Sequence, residues 1–276
     1  MPAMAQASAF VDIDWQGRVV RIEHQWLNAH LHDAPLVVFL HEGLGSVAMW
    51  RDYPQQLCNA LGVRGLVYSR PGYGQSTPRD VDEHWASNFM HRQAHEVLPA
   101  LLKALNINEP PWLFGHSDGG SIALLFASHH ATAGVMVLAP HIMVEDVSVT
   151  SIAMAKEAYE NTPLRERLAR YHDDVDSAFW GWNRIWLAPE FRSWSIENEL
   201  ANIRCPVLAI QGLNDEYGTL AQIRNIQHHV PHVQLLEIED CGHSPHRDQT
   251  QVLTRACLDF FNTQSKAQSF SPRNSQ

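Results

Sequence analysis

Gly115-His116-Ser117-Asp118-Gly119 sets a serine between two glycines in the pattern G-x-S-x-G, with an apolar strand-like run before it (Trp112 to Phe114) and a small-residue helical stretch after it (Gly119 to Ser128). A strand that turns this sharply into a helix leaves no room for side chains two residues before and two residues after the serine. Gly115 and Gly119 meet that demand. The turn lifts the Ser117 hydroxyl into the open, and the unbonded N–H groups of the helix's first turn point to where a negative oxygen would form. A serine hydroxyl is a weak nucleophile at neutral pH until a base takes its proton, and that base must be held in one tautomer by an acid. One histidine and one carboxylate are therefore required, to be found among 17 histidines and 30 acidic residues. His243, in Cys241-Gly242-His243-Ser244-Pro245, falls between the last strand-like run and the terminal helix. Asp215, in Gln211-Gly212-Leu213-Asn214-Asp215, follows the preceding strand-like run. Like Ser117, both fall beyond the C-terminal ends of strands predicted to be parallel, the edge where open α/β sheets gather their ligands. Glu145 and Asp146, close after Pro140, are rival acids, and His246, read as the start of the last helix, is the rival base.

The elements that must position these groups are legible as alternation. Pro35 to His41, Gly65 to Ser69, Trp112 to Gly115, Gly134 to Ala139, Pro206 to Gln211 and Val233 to Ile238 read as strands, mostly as continuous apolar runs, the mark of strands buried on both faces. Helices are predicted at Trp50 to Leu61, His84 to Leu105, Gly119 to Ala127, Leu220 to His228 and Gln249 to Phe261. Ala9 to Trp15 and Arg18 to Trp26 read as an antiparallel hairpin around Gln16-Gly17. This is an α/β fold with an antiparallel edge. The alternation breaks between Pro140 and Ile203, a stretch holding Trp180, Trp182, Trp186 and Trp194 and no strand pattern. It is too long for a structureless loop and reads as a helical insertion, with pieces at Ala155 to Tyr159 and Leu164 to Tyr171. The polar stretch Thr263 to Gln276 reads as a frayed tail.

From Ala34 to Phe261 the chain resembles the α/β-hydrolase fold superfamily, whose triad runs in the order Ser, Asp or Glu, His. Here the order is Ser117, Asp215, His243. The loop His41-Glu42-Gly43-Leu44-Gly45-Ser46, the turn Arg70-Pro71-Gly72-Tyr73-Gly74-Gln75-Ser76 and the insertion after the sixth strand carry the resemblance further. It implies a mostly parallel eight-stranded sheet flanked by helices, formed by residues 1–139 and 204–262, with a helical cap (lid) at 140–203. It also implies that Ser117 attacks a carbonyl, His243 moves the proton, Asp215 steadies His243, and the N–H groups of Asp118 and Gly43 receive the oxyanion. Glu42 stands where the superfamily usually has glycine, so a carboxylate is expected near the site. Glu42, His116, His141, Met143, Trp182 and Trp186 are the expected pocket residues.

A serine in place of an aspartate nucleophile favours acyl transfer to water, and the leading expectation is a carboxylic ester hydrolase acting on small to medium, partly apolar substrates. Two alternatives stand beside it. One is a carbon–carbon hydrolase of the meta-cleavage-product type, although those enzymes carry Trp after the catalytic histidine where this chain has Ser244. The other is a non-catalytic small-molecule receptor on the same fold. No cofactor is required, and neither H-E-x-x-H nor the P-loop ending is present, so no metal is expected. A formal charge of −10, from 20 basic and 30 acidic residues, repels phosphate backbones and anionic lipid, which argues against nucleic-acid and membrane partners. Four widely spaced cysteines read as reduced thiols of a cytoplasmic protein, and no leader or membrane span is read. A monomer and a homodimer are equally allowed.

Overall fold

A computed structural model describes residues 8–80 and 82–270. Eight strands, β1 (Ala9–Trp15), β2 (Arg18–Leu27), β3 (Leu36–Leu40), β4 (Arg64–Tyr68), β5 (Trp112–His116), β6 (Gly134–Leu138), β7 (Val207–Gly212) and β8 (Gln234–Ile238), form one sheet in the order β1-β2-β4-β3-β5-β6-β7-β8. β1 and β2 pair antiparallel to each other, and β2 pairs antiparallel to β4. Every pairing from β4 to β8 is parallel.

The continuous apolar runs are explained by burial from two sides. In β3, Leu36, Val38 and Leu40 join a core on one face of the sheet, whereas Val37 and Phe39 join a second core on the other face. Helices α1 (Tyr53–Leu61) and α11 (Thr250–Phe270) cover the second face. The first is covered by α2 (Phe89–Arg92), α3 (Leu98–Ala104), α4 (Asp118–His129) and α9 (Ala221–His229). Between β6 and β7 the chain inserts α5 (Asp146–Asn161), α6 (Leu164–Leu168), α7 (Val175–Trp186) and the short α8 (Glu197–Leu200), and α10 (Pro245–Asp248) precedes α11. The insertion contains no strand beyond an isolated bridge between Met143 and Ser195.

Two expectations are corrected. The helix read over His84 to Leu105 begins at Phe89 and widens into a π-helical turn over Gln93–Val97 before α3. The cause lies in Pro99, which lacks an N–H and whose ring would press on the carbonyl four residues earlier in a regular helix. The tail read from Thr263 is helical as far as Phe270; residues 271–276 lie outside the described residues. Gln, Lys and Ala there are good helix formers, and lengthening an existing helix adds a hydrogen bond per residue without a new nucleus. Thr263 Oγ1 donates to the Asp259 carbonyl (2.8 Å) along the same helix. Among the described residues no helix is long and apolar enough to cross a membrane.

Candidate active site

The order β4-β3-β5 places the chain's change of direction at the C-terminal ends of β3 and β5, which are parallel neighbours with Leu40 opposite Gly115. Ser117 follows β5 with φ 53° and ψ −122°, a backbone region that disfavours side chains. The two glycines behave as the motif requires. A Cβ on Gly115 would collide with the backbone of Gly119, and one on Gly119 would collide with the carbonyls of Leu40 and His41. The end of α4 is therefore pressed against the end of β3, which brings the His41–Ser46 loop beside the serine. Ser117 is 6% exposed. The carbonyl of Ser117 already accepts from Gly120 (2.8 Å) and Ser121 (3.0 Å), while the N–H of Asp118, the first residue of α4, precedes any intrahelical acceptor.

A second close approach joins Asp215 to His243. Gly212, at the end of β7, lies so near the carbonyls of Cys241 and Gly242 that a Cβ would not fit. The two loops are laced by Leu213 N–H to Ile238 O and Asn214 N–H to Cys241 O, both 2.9 Å. Across that junction His243 Nδ1 meets Asp215 Oδ1 at 2.8 Å. Oδ1 also accepts from the N–H of Tyr217 (2.8 Å) and Oδ2 from Gln211 Nε2 (3.0 Å). Burial raises the Asp215 carboxyl, but the hydrogen bond and charge of His243, with the Tyr217 N–H, outweigh it and hold the group below its ordinary value. An ionised Asp215 fixes the proton of His243 on Nδ1 and leaves Nε2 with a lone pair, the tautomer a base needs. The His243 backbone is held at both ends: Glu216 Oε2 accepts from its N–H (3.2 Å), and its carbonyl pairs with His116 Nε2 at 2.7 Å. The rival groups go elsewhere. Glu145 bonds Thr219 and Gln222, Asp146 pairs with Arg192, and His246 is buried in α10, its ring 5.2 Å from that of Trp50. Burial drives His246 down to about 3.

The loop after β3 is set by buried groups beneath it. Burial, then the charge of Arg70, push His41 well below its ordinary value, so its ring is neutral. Its Nε2 accepts from the Arg70 N–H (3.0 Å), which leaves the proton on Nδ1, 2.7 Å from the Glu42 carbonyl. That carbonyl also accepts from Arg70 Nη2 (2.8 Å) and from the Gly45 N–H (3.0 Å). With three donors holding the carbonyl on one side, the trans peptide turns the Gly43 N–H to the other. The Glu42 carboxylate lies 3.6 Å from His116 Nδ1 and 3.7 Å from Arg247. Burial alone would raise it; His116, His246 and Arg247 outweigh burial and keep it ionised.

Above these residues sits the insertion. Trp182 lies against Gly43 so closely that its indole occupies the place a Cβ would take. Trp186 Nε1 donates to Asp118 Oδ1 (3.2 Å), and its ring packs edge-on against His141, 4.9 Å between centroids. His141 is buried, 5.8 Å from the His243 ring, and burial takes it down to about 3. It is therefore a neutral wall of the site and not a second charge. Met143 is half-buried, and its carbonyl accepts from Gln222 Nε2 (3.1 Å).

Residues 37–256 match the model of the alpha/beta hydrolase family. The chain belongs to that family. The hydrolase is 26% identical over 257 residues to "Putative carbamate hydrolase RutD" of Pseudomonas savastanoi pv. phaseolicola (strain 1448A / Race 6), an alignment covering 84% of this chain and 96% of the relative. Its fold matches a thermophilic esterase from Thermogutta terrifontis (TM-score 0.71, 17% identity, 94% of this chain and 99% of that one). It also matches the enol-lactonase from Burkholderia xenovorans LB400 (TM-score 0.69, 20% identity, 93% and 100%). Sequence reasoning missed Arg70 in this hydrolase. The residue is wholly buried, organises the loop after β3 through His41 and the Glu42 carbonyl, and approaches Asp118 Oδ2 to 4.0 Å. The available signal was a lone arginine directly after an apolar strand run, at the ligand-gathering edge. Gln211 was missed too, though a polar residue ending a buried strand is unusual for the same reason.

Proposed function

We propose that this hydrolase cleaves carboxylic esters through an acyl-enzyme on Ser117, with His243 as base and acid, Asp215 as its orienting partner and the N–H groups of Gly43 and Asp118 as oxyanion donors. The observation that carries the reading is the 2.8 Å contact between Asp215 Oδ1 and His243 Nδ1, joining two residues 28 apart, with the His243 carbonyl bonded to His116, the neighbour of a serine held on a strained turn. His243 Nε2 takes the Ser117 proton as Oγ attacks the ester carbonyl. The carbonyl oxygen becomes an oxyanion and accepts from the two N–H groups. Collapse breaks the bond to the alkoxy oxygen, which leaves with the proton from His243, and water repeats the sequence on the acyl-enzyme. These groups suffice without a cofactor. The insertion acts as a cap that keeps water from the oxyanion, and its indoles and His141 favour a small or medium, partly apolar substrate.

A carbamate is the second reading, favoured by the relative named as a carbamate hydrolase, since its carbonyl is open to the same attack. The test is hydrolysis of p-nitrophenyl esters from acetate to dodecanoate, with a p-nitrophenyl carbamate and a meta-cleavage dienoate alongside, for wild type and Ser117→Ala. Ester turnover lost by at least about 10³-fold in Ser117→Ala is the expected result. Turnover of the carbamate or the dienoate alone replaces the ester reading. Ester turnover that survives in Ser117→Ala overturns the nucleophile assignment.

A further inference from the structure

Helix α7 carries two indoles one turn apart, Trp182 and Trp186, and residues four apart share a helix face. Each rests on a different oxyanion donor. Trp182 covers Gly43, and Trp186 holds the Asp118 carboxyl through its Nε1–H. Gly43 is the more adjustable donor, because glycine imposes little on its own φ and ψ. The three bonds to the Glu42 carbonyl fix one side of that peptide, and the Trp182 ring packs against the Gly43 Cα, where a Cβ would be. On the Asp118 side, Trp186 is the one hydrogen-bond donor to the carboxyl among the described residues, and Asp118 Oδ2 and Arg70 Nη1 are both buried without a hydrogen-bond partner. The Asp118 carboxyl is therefore hydrogen-bonded only from above, by the insertion, with the Arg70 charge 4.0 Å away on the sheet side.

The helix itself is held firmly enough to act as a reference. Asp174 caps its first turn by accepting from the Ser177 N–H (2.8 Å), Ser177 Oγ accepts from the Arg79 N–H (2.8 Å), and Asn183 Nδ2 donates to the Ile152 carbonyl (3.0 Å). We infer that Trp182 and Trp186 are positioning residues for the oxyanion hole, so that the inserted helix sets the geometry of both N–H donors and governs the rate of acyl transfer rather than the affinity for substrate. The inference rests on the reading of Ser117 as nucleophile. Its physical basis is that oxyanion donors act through preorganisation: a displacement of the donors by about 1 Å costs on the order of 10²-fold in rate, whereas the ground-state carbonyl is bound weakly and notices it little.

The experiment uses the full chain and the p-nitrophenyl ester it turns over fastest. Trp186→Phe keeps a ring and removes the N–H; Trp182→Phe and Trp182→Ala shrink and then remove the cover over Gly43. Active enzyme is counted by fluorophosphonate titration, so partial misfolding does not enter kcat. The expected result is a fall in kcat of about 10- to 100-fold with KM within about twofold. A boronic acid that mimics the tetrahedral adduct should lose affinity by the factor that kcat/KM loses. A rise in KM with kcat unchanged makes the indoles pocket lining only and overturns the inference, as does unaltered kinetics. Retained turnover in Ser117→Ala sinks the nucleophile reading; its loss alongside unaffected tryptophan variants sinks this inference alone.

Discussion

Asp118 combines two roles that pull against each other. Its backbone N–H belongs to the proposed oxyanion hole, while its side chain, 1% exposed, is a carboxyl placed where charge is poorly tolerated. Burial raises it, and the Arg70 charge, the Trp186 bond and His243 offset only part of that, leaving the group at about 6 against an ordinary 3.8. A carboxyl raised on folding binds its proton more tightly in the native state, so native stability falls as pH climbs from the unfolded value through the folded one. The two values are separated enough to be worth about 3 kcal/mol, of which about 0.5 kcal/mol is already lost at pH 4 and nearly all by pH 8. Asp118→Asn cannot ionise. Whatever fixed offset the substitution brings by leaving Arg70 without a counter-charge, the stability difference between variant and wild type should move in the variant's favour by up to about 2.5 kcal/mol between pH 4 and pH 8. Urea titrations at the two pH values measure this. A difference that stays constant with pH would mean that Asp118 titrates as an ordinary carboxyl.

At the scale of elements, the site depends on close approaches that only glycine permits. Gly119, like Gly212, is a sharp case, because a methyl there meets two backbone carbonyls, of Leu40 and His41, neither of which can rotate away. Gly119→Ala must separate α4 from β3, moving the serine from the His41–Ser46 loop. The expected outcome is a loss of stability of more than about 3 kcal/mol together with activity, measured by urea unfolding and ester turnover. A variant of near wild-type stability would show that the elbow can relax. The same junction explains what was readable in the sequence. Strands β3 to β7 announced themselves because burial on both faces demands unbroken apolar runs; Ser117 and Asp215 were legible as candidates because each follows such a run, and His243 because it lies between the less buried β8 and the terminal helix. Arg70 and the side-chain role of Asp118 were not readable. A single charged residue has no period, and its burial is decided by loops distant in the chain: Arg70 is fixed by the His41–Glu42 turn and Asp118 by Trp186. The π turn at Gln93–Val97 was hidden because Pro99 does not end the apolar pattern of the helix; it only widens the turn before it.

For the whole molecule, the question is whether the insertion is a separate folding unit. Its own apolar residues, among them Ile152, Phe179, Trp182, Ile185, Trp186 and Trp194, form one continuous cluster with Leu113, Ile122 and Val137 of the sheet layer, with no boundary between them. Several of its polar ties also run to the main body: Ser148 Oγ to the Tyr217 carbonyl, Glu145 to Thr219 and Gln222, and His172, whose Nδ1 accepts from the Gly74 N–H. A segment that buries its apolar face chiefly against another layer has little to hold it folded once that layer opens, and the layer in turn loses its cover if the segment leaves. The two should therefore unfold together. Four of the nine tryptophans belong to the insertion, Trp180, Trp182, Trp186 and Trp194, so tryptophan fluorescence weighs the insertion while far-ultraviolet circular dichroism weighs the whole backbone. The two signals should give one urea transition with the same midpoint and slope. If the inserted helices detach first, fluorescence and ester turnover will be lost at lower urea than ellipticity, as expected if the proposed oxyanion donors depend on Trp182 and Trp186 of that segment.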